Sequence, residues 1–248
     1  MIKGKYQYLL WLLITVAMFS MSCGKESSCF KSTGKIVQEQ RAVSTGVNAI
    51  IMEDNIDLVI TQDSEAAMMV EGGENLLPYV NTEVSGNELK ISSDNKCSFL
   101  RDYDIPITVY LSVPDLKSIN YTGQGMVSCT NTLNLNEFDF ETRRGTGSIN
   151  MNINANKISV RQHTGPTDIT ISGSANNVYL YGGGNGWIYA QNLDANDVHA
   201  NNAGTGDISL KASNTLLVEL SSIGNINYYG DPVVTVSVHT GSGQLIKK

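Results

Sequence analysis

A glycine-rich corner that returns about every twenty residues constrains this chain more than any other feature. A G-x-G unit followed by an aliphatic residue recurs in Thr122-Gly123-Gln124-Gly125-Met126-Val127, Gly145-Thr146-Gly147-Ser148-Ile149, Gly165-Pro166-Thr167-Asp168-Ile169, Gly184-Asn185-Gly186-Trp187-Ile188, Gly204-Thr205-Gly206-Asp207-Ile208, Ile223-Gly224-Asn225-Ile226 and Gly241-Ser242-Gly243-Gln244-Leu245. Marked by the second glycine, or by Thr167 in the third copy, the units stand at 125, 147, 167, 186, 206, 224 and 243, with steps of 22, 20, 19, 20, 18 and 19 residues. Two residues past the marks runs an aliphatic column: Val127, Ile149, Ile169, Ile188, Ile208, Ile226 and Leu245. Before most marks comes an alternating pair, such as Phe138/Phe140, Ile158/Val160, Val178/Leu180 or Leu216/Val218. Period-two alternation in units this short predicts two or more strands per unit and is too compact for helical repeats. The expected fold is an all-β solenoid of seven coils, each strand pairing with its copies above and below. At about 4.8 Å per coil the stack extends roughly 30 Å. Glycine and asparagine should supply positive φ at the corners, and 16 of the 23 glycines and 18 of the 24 asparagines fall from residue 120 onward.

The first half reads differently. Residues 42–113 form an N-terminal β lobe with strand-like segments at 47–52, 56–61, 67–71, 88–92 and 107–111, and a helical turn fits Glu74 to Tyr79, kept short by Pro78. Val113-Pro114-Asp115-Leu116 joins it to the repeat lobe, 114–248. With 41% hydrophobic and 17% charged residues, the 248-residue chain is not disordered and can bury a large core.

Residues 1–22 carry Lys3 and Lys5, an apolar run from Leu9 to Phe19, and small residues before Cys23, the pattern of a secretory signal. The run is too short for a transmembrane helix, which needs about 20 apolar residues. Ser20-Met21-Ser22-Cys23 looks like a bacterial lipobox with Ser20 in the place usual for leucine, so Cys23 is the expected lipidation site and residues 23–41 a polar tether to the membrane. The formal charge of −7 becomes −9 without the signal, which argues against nucleic-acid binding. Of the remaining cysteines, Cys29 lies in the tether, leaving Cys97 and Cys129 either as a disulfide or as idle thiols.

Ile56-Asp57-Leu58-Val59-Ile60, Glu71-Gly72-Gly73-Glu74-Asn75-Leu76-Leu77, Leu89-Lys90-Ile91-Ser92, Val113-Pro114-Asp115-Leu116, the G-x-G repeats and Asn227-Tyr228-Tyr229-Gly230-Asp231-Pro232 together make residues 42–246 similar to a Bacteroidetes family, the auto-transporter adhesins with a head GIN domain. The resemblance implies right-handed parallel β-helix-like lobes behind a lipoprotein signal. It carries no ligand, cofactor or catalytic residue to this chain.

No reaction is legible. His163, His199 and His239 are too far apart for a helical zinc motif, and there is no nucleophile elbow, phosphate loop or dinucleotide fingerprint. Asp168 and Asp207 share the column one past the marks, with Trp187 on the coil between, so they stand roughly 10 Å apart and cannot share a calcium ion. No cofactor or metal is expected. The alternation that turns Ile188 inward turns Trp187 outward, where Trp187 and Tyr189 could stack a sugar ring while Asp168 and Asp207 take its hydroxyls; the alternative is Trp187 packed beneath a loop or between lobes. Four before the mark, Tyr121, Arg143 and His163 fall on consecutive coils as a second candidate patch. The reading is a non-enzymatic outer-membrane lipoprotein binding a glycan or surface protein. A periplasm-facing structural lipoprotein and a carbohydrate-active enzyme are the alternatives. Lys247 and Lys248 would block end-to-end stacking and favour a monomer.

Overall fold

The computed structural model describes residues 32–95 and 106–248. Eighteen strands run in order: β1 Ile36–Arg41, β2 Ala49–Met52, β3 Asp57–Gln62, β4 Ala67–Gly73, β5 Val80–Ser85, β6 Glu88–Ser93, β7 Thr108–Val113, β8 Ser118–Tyr121, β9 Val127–Cys129, β10 Leu133–Asn134, β11 Glu137–Arg143, β12 Ser148–Thr164, β13 Asp168–Gly182, β14 Ile188–Asn202, β15 Ile208–Leu220, β16 Ile226–Tyr229, β17 Val233–His239 and β18 Leu245–Lys247. Among the described residues the only helical element is a 3-10 turn at Leu77–Tyr79, held to three residues by Pro78.

The expected solenoid is present. One ladder runs β3-β9-β12-β13-β14-β15-β16-β18, all parallel. A second runs β6-β2-β8-β11-β12-β13-β14-β15-β17, also parallel. The long strands β12 to β15 serve both ladders, so each coil turns back on itself to close a narrow two-sided core. The aliphatic column pairs residue for residue from Val127 through Ile149, Ile169, Ile188, Ile208 and Ile226 to Leu245, so the seven corners bound six full turns. Its members from Val127 to Ile226 are buried in one continuous core cluster that begins at Val47.

The corner glycines are required for a different reason from the one expected. None of the marked glycines has positive φ; among the described residues the glycines that do are Gly34, Gly86, Gly165, Gly173 and Gly230. A Cβ on Gly125, Gly147, Gly186, Gly206, Gly224 or Gly243 would instead land on the carbonyl oxygen of the coil before it, at Ile56, Gly125, Thr167, Gly186, Gly206 and Gly224 respectively. Close backbone stacking, rather than a left-handed turn, excludes side chains there. The third corner departs, with Gly165 at φ +98° and a buried Thr167. Asparagine also acts otherwise, since among the described residues the positive-φ residues besides glycine are Asp54 and Arg144. On the opposite corner Asn196 donates to Asn176 (3.0 Å), Asn176 to Asn156 (3.0 Å), and Asn154 to Asn134 (3.1 Å), stitching coil to coil through side-chain amides.

An inward column runs Tyr121, Thr142, Gln162, Gly182, Asn202 and Leu220, paired in register, and ends at His239, which is exposed on the last rung. Every second member reaches its own corner: Tyr121 Oη donates to Gly125 O (2.6 Å), Gln162 Nε2 to Thr167 O (2.5 Å) and Asn202 Nδ2 to Gly206 O (3.0 Å), while His239 Nε2 meets Gly243 O (2.8 Å). Burial keeps the Tyr121 hydroxyl protonated far above its ordinary range. The intervening Thr142, Gly182 and Leu220 make no such bond, so large polar anchors alternate with small or apolar residues along the axis.

The two ends differ. At the N-terminal end β1 pairs antiparallel with β4, β4 with β7, and β5 with β6, and Leu76, Leu77 and Val80 are buried beneath them. Residues 36–41, expected within the tether, form β1 because the outer edge of β4 offers unpaired backbone groups to a segment whose side chains stay exposed. At the other end β17 and β18 are the last rungs.

Candidate functional site

The corner bearing Trp187 gathers the four residues singled out by sequence. Trp187 is 46% exposed while its neighbour Ile188 is fully buried, as alternation requires. Its ring lies 5.8 Å from that of Tyr189, inclined at 40°, so the pair forms a shallow open wedge rather than a plug beneath a loop. Asp168 Oδ1 accepts the Trp187 amide at 2.9 Å, and Asp207 Oδ1 accepts the Asn225 amide at 2.8 Å. Asp57 and Asn225 hold the corner amides of Met126 and Gln244 in the same way. One oxygen of each aspartate thus stitches successive coils, leaving the other toward solvent or, in Asp207, toward the Asn225 side chain at 3.4 Å. Burial, then the Asp168 and Asp207 carboxylates, push the Tyr189 phenol above its ordinary value, so it stays neutral and can donate a hydrogen bond. A depression of about 350 Å³ continues down the corner past Asp168, lined by Ser148, Met126 and Asp57.

The second patch is not assembled as the spacing suggested. The steps of 22 and 20 residues differ, so counting back from the marks slips by one: Tyr121 pairs with Thr142 and Thr142 with Gln162, all facing inward, while Arg143 and His163 face out. Tyr121 belongs to the core. Arg143 Nη2 lies 3.4 Å from His163 Nε2, and Glu141 accepts from Arg143 (2.9 Å) and lies 3.3 Å from His163. Burial first, and then the Arg143 guanidinium, outweigh Glu141 and lower the His163 pKa below its ordinary value. A histidine whose folded pKa is depressed contributes fully above its unfolded value and loses that contribution as pH falls toward the folded one. Denaturant titrations from about pH 7.5 down to pH 5 should therefore show stability falling, and the His163→Gln protein should fall less steeply; equal slopes would remove His163 as the cause.

A groove of about 690 Å³ was not among the sites expected from the sequence. It lies on the outer face of the second ladder, lined among others by Lys117, Phe138, Asp139, Lys157, Arg161 and Tyr179. Arg161 is committed to Asp139 (2.5 Å) and Glu141 (3.0 Å), while Tyr179 stacks obliquely on His199 at 5.0 Å. The available signal was the outward residue between each inward pair, which gives the column Asp139, Ser159, Tyr179, His199. Among the described residues no three His, Cys, Asp or Glu side chains converge as metal ligands. Cys23 and Cys97 lie outside the described residues. Cys129 Sγ is a free thiol that accepts the Asn152 amide at 3.1 Å.

Three comparisons bear on this arrangement. The family model described as "Putative auto-transporter adhesin, head GIN domain" matches residues 47–232. A crystal structure of a "putative adhesin" from Bacteroides fragilis NCTC 9343 is similar at 25% identity and a TM-score of 0.80, covering 86% of this chain and 97% of that one. A "putative lipid binding protein" from Parabacteroides distasonis ATCC 8503 shares the fold at 22% identity and a TM-score of 0.65, over 88% of this chain and 98% of that one. A "putative adhesin" from Parabacteroides merdae ATCC 43184 does so at 19% identity and a TM-score of 0.62, with the same coverages. No curated protein matches the chain.

Proposed function

The chain belongs to the head GIN domain family of auto-transporter adhesins, and on that premise we propose that it is a cell-envelope lipoprotein whose solenoid binds a surface glycan without altering it. The family supports an adhesin-like role as a whole. The observation that carries the glycan reading is the exposed Trp187–Tyr189 wedge on a backbone fixed by the Asp168 and Asp207 stitches, at the head of the corner depression. Aromatic faces held rigidly in the open suit the apolar faces of sugar rings, and the remaining carboxylate oxygens and the Tyr189 hydroxyl suit their hydroxyl groups. In this reading Cys23 carries the lipid, residues after it form the tether, and the outer membrane holds the anchor.

Purified protein carrying Cys23→Ser, applied to an array of envelope and host glycans, should bind a subset of them, and Trp187→Ala should weaken that binding about tenfold. Tyr179→Ala, in the separate groove, should leave it unchanged. Undiminished binding by Trp187→Ala would sink the stacking role, and release of oligosaccharides would replace a binding protein by an enzyme. Proteinase K treatment of intact cells, with lysed cells beside them, reports the leaflet: digestion before lysis supports surface display, whereas protection until lysis leaves a periplasm-facing lipoprotein.

A further inference from the structure

The inward column Ile119, Phe140, Val160, Leu180, Ala200, Val218 is buried in every coil until its last member, Val236, which is 45% exposed. Val233 is 72% exposed on the same strand. Neither β17 nor β18 has a partner beyond its inner neighbour among the described residues. The core therefore runs out to an uncovered end, whereas the opposite end is closed by antiparallel strands with Glu39, Arg41 and Glu83 on their edges. The strand β17, V-V-T-V-S-V-H, carries no formal charge. Natural sheets protect such edges with lysine, proline or a cover, and β17 has only a bulge, where Ser237 is passed over between the pairs Val236–Val218 and Val238–Glu219. Lys247, expected as a blocker, sits on β18, in register with Tyr228, and its charge is taken up by Asp231 at 2.5 Å.

With the signal removed before Cys23, as the proposed lipoprotein requires, the chain's own segments outside the described residues are too short to reach this end. Residue 32 is fastened at the closed end, where Asn75 Nδ2 donates to Ser32 O at 2.9 Å. From β4 the first ladder crosses nine strand spacings to β18, about 43 Å at 4.8 Å each. Residues 23–31 span at most about 32 Å fully extended, and residues 96–105, anchored at both ends on β6 and β7, reach less than about 20 Å.

We propose that the open end docks on a second copy of this chain, β17 pairing antiparallel with β17 of the other copy about a two-fold axis at Thr235. That register sets Val234 against Val236 of the second copy, both inward-facing through their pairing with Leu216 and Val218, and Val233 against Ser237. The self-matching pattern satisfies the demand of a two-fold interface that one patch serve both subunits, and no like charges meet along β17. A seven-residue strand is about 24 Å long, and two sheets about 10 Å apart with about 5 Å of outward side chain on each make a coil about 20 Å thick, so the end face is of order 500 Å² and the pair buries about 1,000 Å², the lower bound for a specific interface. An interface of that minimal size predicts a weak dimer, distinct from glycan binding at the Trp187 corner.

Sedimentation of the Cys23→Ser protein between about 1 and 200 µM should show a monomer–dimer equilibrium. Thr235→Lys, which places like charges at the axis on an exposed side chain, should weaken it at least about tenfold while circular dichroism stays unchanged. Thr235→Cys should trap a disulfide-linked dimer under oxidation that reductant reverses and that the parent protein does not form. A monomer at every concentration overturns the proposal and leaves the end face to an unlike partner. A dimer indifferent to Thr235→Lys also overturns it, because the contact then lies elsewhere.

Discussion

Replacing Gly206 by alanine is expected to destabilise the protein by at least about 3 kcal/mol, lowering the melting temperature by roughly 6 to 12 °C for a domain of this size. The added Cβ would occupy the position of the Gly186 carbonyl oxygen, with the Gly186 carbon and the Trp187 ring beside it. A backbone oxygen cannot rotate away as a side chain can, so the two coils must separate and lengthen ladder bonds on both sides. Gly46→Ala is the control: its Cβ would meet only Ser44 Oγ at 3.6 Å, an ordinary contact, and the change should stay within about 0.5 kcal/mol. Equal melting temperatures for the two variants would show that coil spacing is more compliant than the stacked corners imply.

Asn202→Ala should cost about 2 to 4 kcal/mol. Asn202 is fully buried and makes three bonds to corner backbone: Nδ2 donates to Gly206 O (3.0 Å) and Asn225 O (3.1 Å), and Oδ1 accepts from Gly204 N (3.1 Å). Truncation strips those backbone groups of their partner where water has no access, and opens a cavity besides. Asn202→Leu separates the two effects, because leucine fills the space, as Leu220 does one coil on, yet satisfies nothing. It should recover only a minor part of the loss in chemical denaturation. Recovery to the parental midpoint would mean that volume, not hydrogen bonding, holds the corner.

These two residues also mark where reading the sequence succeeds and where it stops. The period of about twenty, the inward column from Val127 to Leu245 and the exposure of Trp187 all follow from alternation, since a strand's faces are fixed by counting in twos. Counting cannot say why glycine recurs. The clash it avoids lies between residues some twenty apart in sequence, and a turn requirement within one corner explains the pattern equally well. The slip that placed Tyr121 with Arg143 and His163 has the same origin, because steps of 22 and 20 residues change the inward position relative to the mark. The alternation of polar anchors at Tyr121, Gln162, Asn202 and His239 spans two coils and is hidden by the regularity of one. The groove lined by Lys117, Phe138, Lys157 and Tyr179 draws on four successive coils, and no single segment announces it.

The strand β1 has a mechanical consequence. If the chain is tethered from its beginning, tension enters at residue 32, meets the hold of Asn75 on Ser32 and Thr33, and then reaches β1, held to β4 by six in-register pairs with its side chains largely exposed. The rungs behind it share load among many parallel bonds, as where β13 and β14 run together, so β1 peels before they yield. Its six residues release about 20 Å of slack. Peeling then arrives at Arg41, whose guanidinium grips the carbonyls of Val80 (2.5 Å) and Leu77 (3.0 Å). A head pulled by what it has gripped would thus give by a fixed distance and hold.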